Sequence, residues 1–221
     1  SIAGVGGSNV PPQDSSHFYS VLRTFLTTYL GSHGSVQGMT YSADKLVGHI
    51  PTINVLYHKK KLLEVAGFDI SFGNIGEDQD LSYRFNKKGY QYYYLANNEV
   101  YHKLRSNFRK WTKNMFVYGK GRMWLMRKHP KCIKPVLLAP FFLVALLPLS
   151  LFAFLIPLFA VPLLYFPAIL LISFVECAKR KSLSLSIGLF GIYVGTHIAY
   201  GVGQWYGLFK NREFYREKNQ S

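Results

Sequence analysis

Between Pro135 and Phe174 the chain has no Asp, Glu, Lys, Arg or His. A charge-free run of this length excludes an ordinary soluble core segment, and it is long enough for two bilayer crossings at about 20 residues each. Pro148, Pro157, Pro162 and Pro167 give it places to turn or kink, with the hairpin expected at Pro157. Acidic residues are scarce throughout: 11 Asp and Glu stand against 26 Lys and Arg, a formal net charge of +15 over 221 residues. The imbalance points to a polyanionic partner: nucleic acid, anionic lipid headgroups or a phosphorylated substrate. Hydrophobic residues at 49% and aromatics at 16% are high for a nucleic-acid-binding protein. The only cysteines, Cys132 and Cys177, lie in basic flanks of apolar segments, which excludes a disulfide framework and a cysteine metal cluster and suggests free thiols in a reducing compartment. No signal peptide, internal repeat or low-complexity segment is visible outside the apolar region, and Ser1 is not an initiator Met.

What is present is strongly segregated. After Glu176-Cys177-Ala178-Lys179-Arg180-Lys181 comes a second apolar stretch, Leu183 to Phe209, expected as a third crossing, then a charged tail over 210–221. Lys103 to Lys134 holds eleven Lys and Arg with no acid, and the loop at Lys179 to Lys181 is basic too, so both face the cytoplasm by the positive-inside rule. Three crossings put the tail outside, where Lys210, Arg212, Arg216 and Lys218 fit poorly. Within the basic segment Leu104, Phe108, Trp111, Met115 and Tyr118 recur at 4, 3, 4 and 3, the spacing of an amphipathic helix lying in the membrane interface. Such a basic-aromatic face also suits single-stranded nucleic acid, but the adjoining charge-free runs argue against it.

The first 100 residues read as soluble α/β structure. Ser15-Ser16 caps a helix whose apolar positions run from Phe18 to Leu30, with Gly31 as its end. Ile53, Val55 and Tyr57 alternate as a strand, Leu62, Val65 and Ala66 form a short helix stopped by Gly67, and Tyr90, Tyr92 and Tyr94 alternate as another strand. Between them, Glu77, Asp78 and Asp80 crowd the start of a helix that Lys87-Lys88-Gly89 closes. Backbone N–H groups and the macrodipole favour ionised carboxylates there, which serves a plain helix start and a general base equally well. Asp80 and Arg84 are spaced to pair, a structural role for Asp80.

Gly4-Val5-Gly6-Gly7, Asn54-Val55-Leu56-Tyr57, Val65-Ala66-Gly67-Phe68-Asp69, Gly76-Glu77-Asp78-Gln79-Asp80-Leu81, Val100-Tyr101-His102 and Tyr118-Gly119-Lys120-Gly121-Arg122 follow one another in an order that resembles the acceptor-side half of membrane-attached family 2 glycosyltransferases. The resemblance covers about the first 130 residues. It implies a partial GT-A fold, α/β and Rossmann-like, followed by an α-helical transmembrane region. The expected division is 1–102 as the acceptor side of the catalytic domain, 103–134 as the basic interfacial segment, 135–209 as a membrane region of about three helices, and 210–221 as the tail.

The implied activity is hexosyl transfer from a nucleotide-diphosphate sugar to a lipid-linked or saccharide acceptor at the cytoplasmic face of a cell membrane, with membrane lipids as further partners and no nucleic acid. Asp78 is the expected base of an inverting transfer, with Glu77 orienting the acceptor or the base and Asp80 beside them. Asn54, Arg105, Arg109, Lys110 and Trp111 are the candidates for substrate or diphosphate contacts. His102 is the candidate ligand for a divalent metal, Mg2+ or Mn2+.

The departures are as pointed as the matches. No Asp-x-Asp element precedes Ser8, so the nucleotide-gripping half, with the main metal ligands, is expected in a preceding part of a longer protein, and the chain alone is expected to be inactive. Asn107-Phe108-Arg109-Lys110-Trp111 stands where processive synthases carry Gln-x-x-Arg-Trp, which favours transfer of one sugar per encounter. The alternative is a membrane-anchored, non-catalytic scaffold that keeps the fold and holds anionic lipids or a partner.

Overall fold

The computed structural model describes residues 1–12, 16–32 and 40–210. Ser15 and the tail beyond Lys210, both invoked above, lie outside the described residues. The chain divides into two compact units, one built mainly from 1–14 and 26–104 and the other from 15–25 and 105–210.

In chain order the elements are β1 (Ile2–Val10), α1 (His17–Leu26), α2 (Tyr29–Ser32), β2 (Lys45–Val47), β3 (Val55–Tyr57), α3 (Lys59–Glu64), α4 (Glu77–Lys87), β4 (Gln91–Tyr101), α5 (Phe108–Lys128), α6 (Ala139–Leu146), α7 (Tyr165–Lys179) and α8 (Ser186–Phe209), with short 3-10 turns between several of them. The first unit is organised by a four-stranded mixed sheet in the order β2-β4-β1-β3. β1 runs parallel to β4 and antiparallel to β3, while β2 is antiparallel to β4. Alternation puts Tyr92 and Tyr94 of β4 on the covered face, where they are fully buried with Ala3, Ile50, Leu81 and Phe85. Leu81 and Phe85, one turn apart, are the face by which α4 closes this core.

Several expectations shift by a few residues for local reasons. The strand expected from Ile53 begins at Val55, because Thr52–Asn54 forms a 3-10 turn. The first helix is capped by the Ser16 hydroxyl, which accepts from the Tyr19 N–H at 3.3 Å, but it stops at Leu26 rather than at Gly31. There Thr28 starts a separate short turn by accepting the Gly31 N–H on its hydroxyl at 3.2 Å. The chain reverses at 153–156, just ahead of Pro157, and the apolar hairpin alternates α-helix with 3-10 turns around its prolines.

The second unit is centred on α8. Among the described residues three stretches are long and apolar enough to cross a membrane: Pro135–Phe152, Pro157–Lys179 and Leu183–Phe209. Asn107 caps α5 by accepting the Lys110 N–H at 2.9 Å, and from that point α5 runs parallel to α8. Trp111 donates its indole N–H to Thr196 Oγ1 at 2.8 Å near one end, and Trp124 donates to the Lys210 carbonyl at 2.8 Å near the other. Small residues let the backbones touch between these ends: a Cβ on Gly119 would lie 2.0 Å from the Tyr200 carbonyl oxygen, and one on Gly203 the same distance from that of Phe116. The apolar face of α5 is therefore covered by α8, with Trp111 and Met115 buried, while Phe108 and Tyr118 stay partly open.

Candidate active site

The acidic helix start is held by the turns on either side of it. Gly76, with φ of +84°, takes the left-handed conformation at the N-cap position and turns the chain directly into α4, so that Glu77, Asp78 and Asp80 all fall in the first turn. The three carboxylates then part company. Asp80 points into the protein and is fully buried, with Arg84 Nε donating to its Oδ2 at 2.8 Å. The same guanidinium donates to the carbonyls of Val65 and Gly67, across a turn in which Ala66 and Gly67 both have positive φ. Asp80 thus anchors the cation that holds the 65–67 turn against α4.

Asp78 is 20% exposed. Its Oδ1 accepts the Gln79 N–H at 2.7 Å, and its Oδ2 lies 3.9 Å from Nε2 of His49. His49 is brought there by β2, whose Val47 pairs with Tyr92, and Asn86 steadies the connection by donating to the Gly48 carbonyl at 2.8 Å. The Ser82 hydroxyl donates to the Asp78 carbonyl at 2.8 Å, and its oxygen lies 2.8 Å from His49 Nδ1 and 3.0 Å from the Tyr92 hydroxyl. His49 thus presents Nδ1 to Ser82 and Nε2 to Asp78.

The surroundings set the protonation states. Burial pushes the Tyr92 phenol up to about 12 against the lowering effect of its Ser82 hydrogen bond, so Tyr92 keeps its proton at any physiological pH. Burial, reinforced by Tyr92 and the Asp78 charge, pushes Tyr57 higher still. Glu77 is raised above the ordinary carboxylate value chiefly by burial, with the neighbouring Asp78 charge adding to it. Two adjacent carboxylates therefore differ: Glu77 keeps its proton to higher pH than an ordinary carboxyl, while Asp78 faces an imidazole nitrogen.

Asn54 spends both amide hydrogens inside the sheet, donating to the carbonyls of Ser8 at 3.0 Å and Asn98 at 3.1 Å. These carbonyls sit where the β1–β4 ladder shifts register, so Asn54 satisfies groups that the irregular pairing leaves over. His102 extends the same pairing by donating its backbone N–H to Val10 at 2.8 Å, with its ring half-buried. Arg105, Arg109 and Lys110 belong to the second unit and are exposed, whereas Trp111 is buried in its packing. Among the described residues no three His, Cys, Asp or Glu side chains converge as a metal-ligand set.

His49 and Ser82 escaped the sequence reading. His49 stands 29 positions before Asp78 in a loop with no motif of its own, and Ser82 reads as an ordinary helix residue; only the pairing of β2 with β4 joins them.

The description of glycosyl transferase family group 2 matches residues 1–175. The chain belongs to this family. No curated protein and no solved structure matches it. The mixed sheet with its helices is a partial GT-A arrangement, and as a family 2 glycosyltransferase domain the protein binds a nucleotide-sugar donor and an acceptor and transfers a glycosyl group. Its three long apolar stretches associate it with a membrane.

Proposed function

We propose that this family 2 glycosyltransferase moves one hexosyl unit per encounter from a nucleotide-diphosphate sugar to a lipid-linked or saccharide acceptor at the cytoplasmic face of a membrane, with inversion, and that Asp78 is the base. The observation that carries this reading is the state of Asp78. It is partly open, fixed through one oxygen by a backbone N–H, and set with the other toward His49 Nε2 at 3.9 Å. An acceptor hydroxyl attacking the anomeric carbon loses its proton as the new bond forms, and a carboxylate held in place beside it takes that proton. Asp78 becomes neutral as it takes the proton, and His49, with Nε2 3.9 Å from Oδ2, receives that proton in turn and becomes the imidazolium, while Glu77 orients the acceptor.

The exposed Arg105, Arg109 and Lys110 support contacts with the leaving diphosphate or with anionic headgroups. A divalent cation would add charge compensation for that diphosphate, but the described residues do not assemble a ligand set for it, and no step here runs through one. The basic segments Lys103 to Lys134 and Lys179 to Lys181 support the cytoplasmic orientation.

The test is Asp78→Asn in the full-length enzyme. Single-turnover transfer is expected to fall about 100-fold or more while donor affinity stays near wild type. Activity within a few-fold of wild type would remove Asp78 from the role.

A further inference from the structure

α8 is apolar enough to cross a membrane, yet two of its neighbours, α1 and α5, are not. Near its start, Gly188 packs on Val21 of α1, and Tyr193 meets Phe25 of α1 with ring centroids 5.1 Å apart. From Gly195 to Lys210 the same side is taken over by α5, running parallel from Phe108 to Trp124. Thr196, Tyr200, Gly203 and Gly207, spaced 4, 3 and 4, make the α5-facing stripe. A separate stripe faces the charge-free hairpin: His197 Nδ1 is 2.9 Å from the Tyr165 hydroxyl, and Trp205 stacks on Phe141 with centroids 4.2 Å apart.

A helix that crosses a bilayer takes its packed partners to the same depth. Alongside α8 that would carry Arg109, Lys110, Lys113, Lys120 and Arg122 of α5 through successive levels of hydrocarbon, and Lys and Arg are the costliest side chains there. Lys120 and Arg122, deepest along α5, are tied down rather than free to reach the surface. Arg122 Nε donates to the Tyr200 hydroxyl at 3.1 Å, and Lys120 is buried with its ammonium 4.9 Å over the Trp124 ring. Arg127 closes the far end by donating to the Gly207 carbonyl at 3.2 Å, a cation at the negative end of the α8 dipole.

The ends of α8 agree. Its start follows α7 through the basic loop at Lys179 to Lys181. Near its finish, Gln204 donates to the carbonyl of Leu137 at 2.8 Å, three residues after Lys134 where the hairpin begins. Both junctions are basic, and both sit on one side if the hairpin crosses and returns.

We propose that α8 does not cross the bilayer. It lies in the interface, with α1 and α5 on its aqueous side, and only the hairpin between Pro135 and Lys179 enters the hydrocarbon. The described residues then cross twice, and Lys210, at the end of α8, is on the same side as Cys132. This is the side that the positive-inside rule favours for the basic residues after α8 in the sequence. It rests on the membrane association of the protein and is independent of the chemistry proposed for Asp78.

The experiment is sidedness in the full chain. Ser221→Cys with Cys132→Ser, and separately the wild-type Cys132, are exposed to a membrane-impermeant maleimide in intact bacterial cells and after permeabilisation. Both positions are expected to react only after permeabilisation. Reaction of both in intact cells also places them together, so the two-crossing arrangement stands while the cytoplasmic orientation fails. Reaction of one and not the other in intact cells overturns the proposal. Should either thiol stay silent in both conditions, full chains fused after Ser221 to green fluorescent protein or to alkaline phosphatase decide. The same two reporters fused after Lys134 give the side on which the hairpin begins; fluorescence without phosphatase activity at both junctions is expected, and different reporters active at the two junctions overturn the two-crossing arrangement.

Discussion

Asp78 and Asp80 are two residues apart on one helix turn, and their environments give them different work. Asp80 has no exposure and holds Arg84 at 2.8 Å, so its substitution acts on stability. Asp80→Asn is expected to cost about 3 kcal/mol, the low end for a broken buried pair because Arg84 keeps its bonds to the Val65 and Gly67 carbonyls. A thermal melt of the purified protein in detergent checks this, and an unchanged midpoint would contradict the anchoring role. In the proposed mechanism His49 acts through Asp78 rather than on the substrate. His49→Asn is expected to lower kcat about tenfold with little change in donor KM, and to flatten the acidic limb of the kcat–pH profile, a signature that simple destabilisation does not produce. Equal loss in kcat and donor affinity would argue that the substitution disturbs the fold instead.

At the level of elements, strands and helices here depend on what fills the gaps between them. β4 is long and tyrosine-rich, and its alternation was readable; β1, with glycines at positions 4, 6 and 7, has almost no side-chain pattern, yet it is the strand to which both β3 and β4 pair. Glycine carries no periodic signal, so its placement depends on neighbours far along the chain. The α5–α8 pair shows the same logic in the helical unit. Gly203→Leu places a side chain where a Cβ alone would sit 2.0 Å from the Phe116 carbonyl, and separation of the two helices is expected, with loss of about 3 kcal/mol or more. Gly191, where a Cβ would meet nothing within 4 Å, is the control: Gly191→Ala is expected to be neutral or mildly stabilising. A detergent melt that ranked the two variants together would show that the close approach is not what holds the pair.

At the scale of the molecule, the two cysteines are unequal reporters of topology. Cys177 is fully buried and is shielded from any reagent whatever its side of the membrane, so in the folded protein it does not report topology. Cys132 is half-buried, and burial raises its thiol above the ordinary value, so its labelling is best run at alkaline pH where more thiolate is present.

The sequence by itself determined what one element or one uninterrupted run can express. The acid-rich start of α4 and its Lys87-Lys88-Gly89 close, the burial of alternate tyrosines on β4, and a stretch from Pro135 to Phe174 that belongs in hydrocarbon all follow from spacing and charge within a few turns. Only the tertiary structure decided the rest. It set His49 against Asp78 through a strand pairing, drew Asn54 into the sheet to satisfy carbonyls of an irregular ladder, and laid the cationic helix α5 along α8. Each of these depends on which distant segment supplies a partner. Local periodicity shows that a face is apolar or a donor is present; packing over the whole chain chooses what covers that face and which acceptor receives that hydrogen.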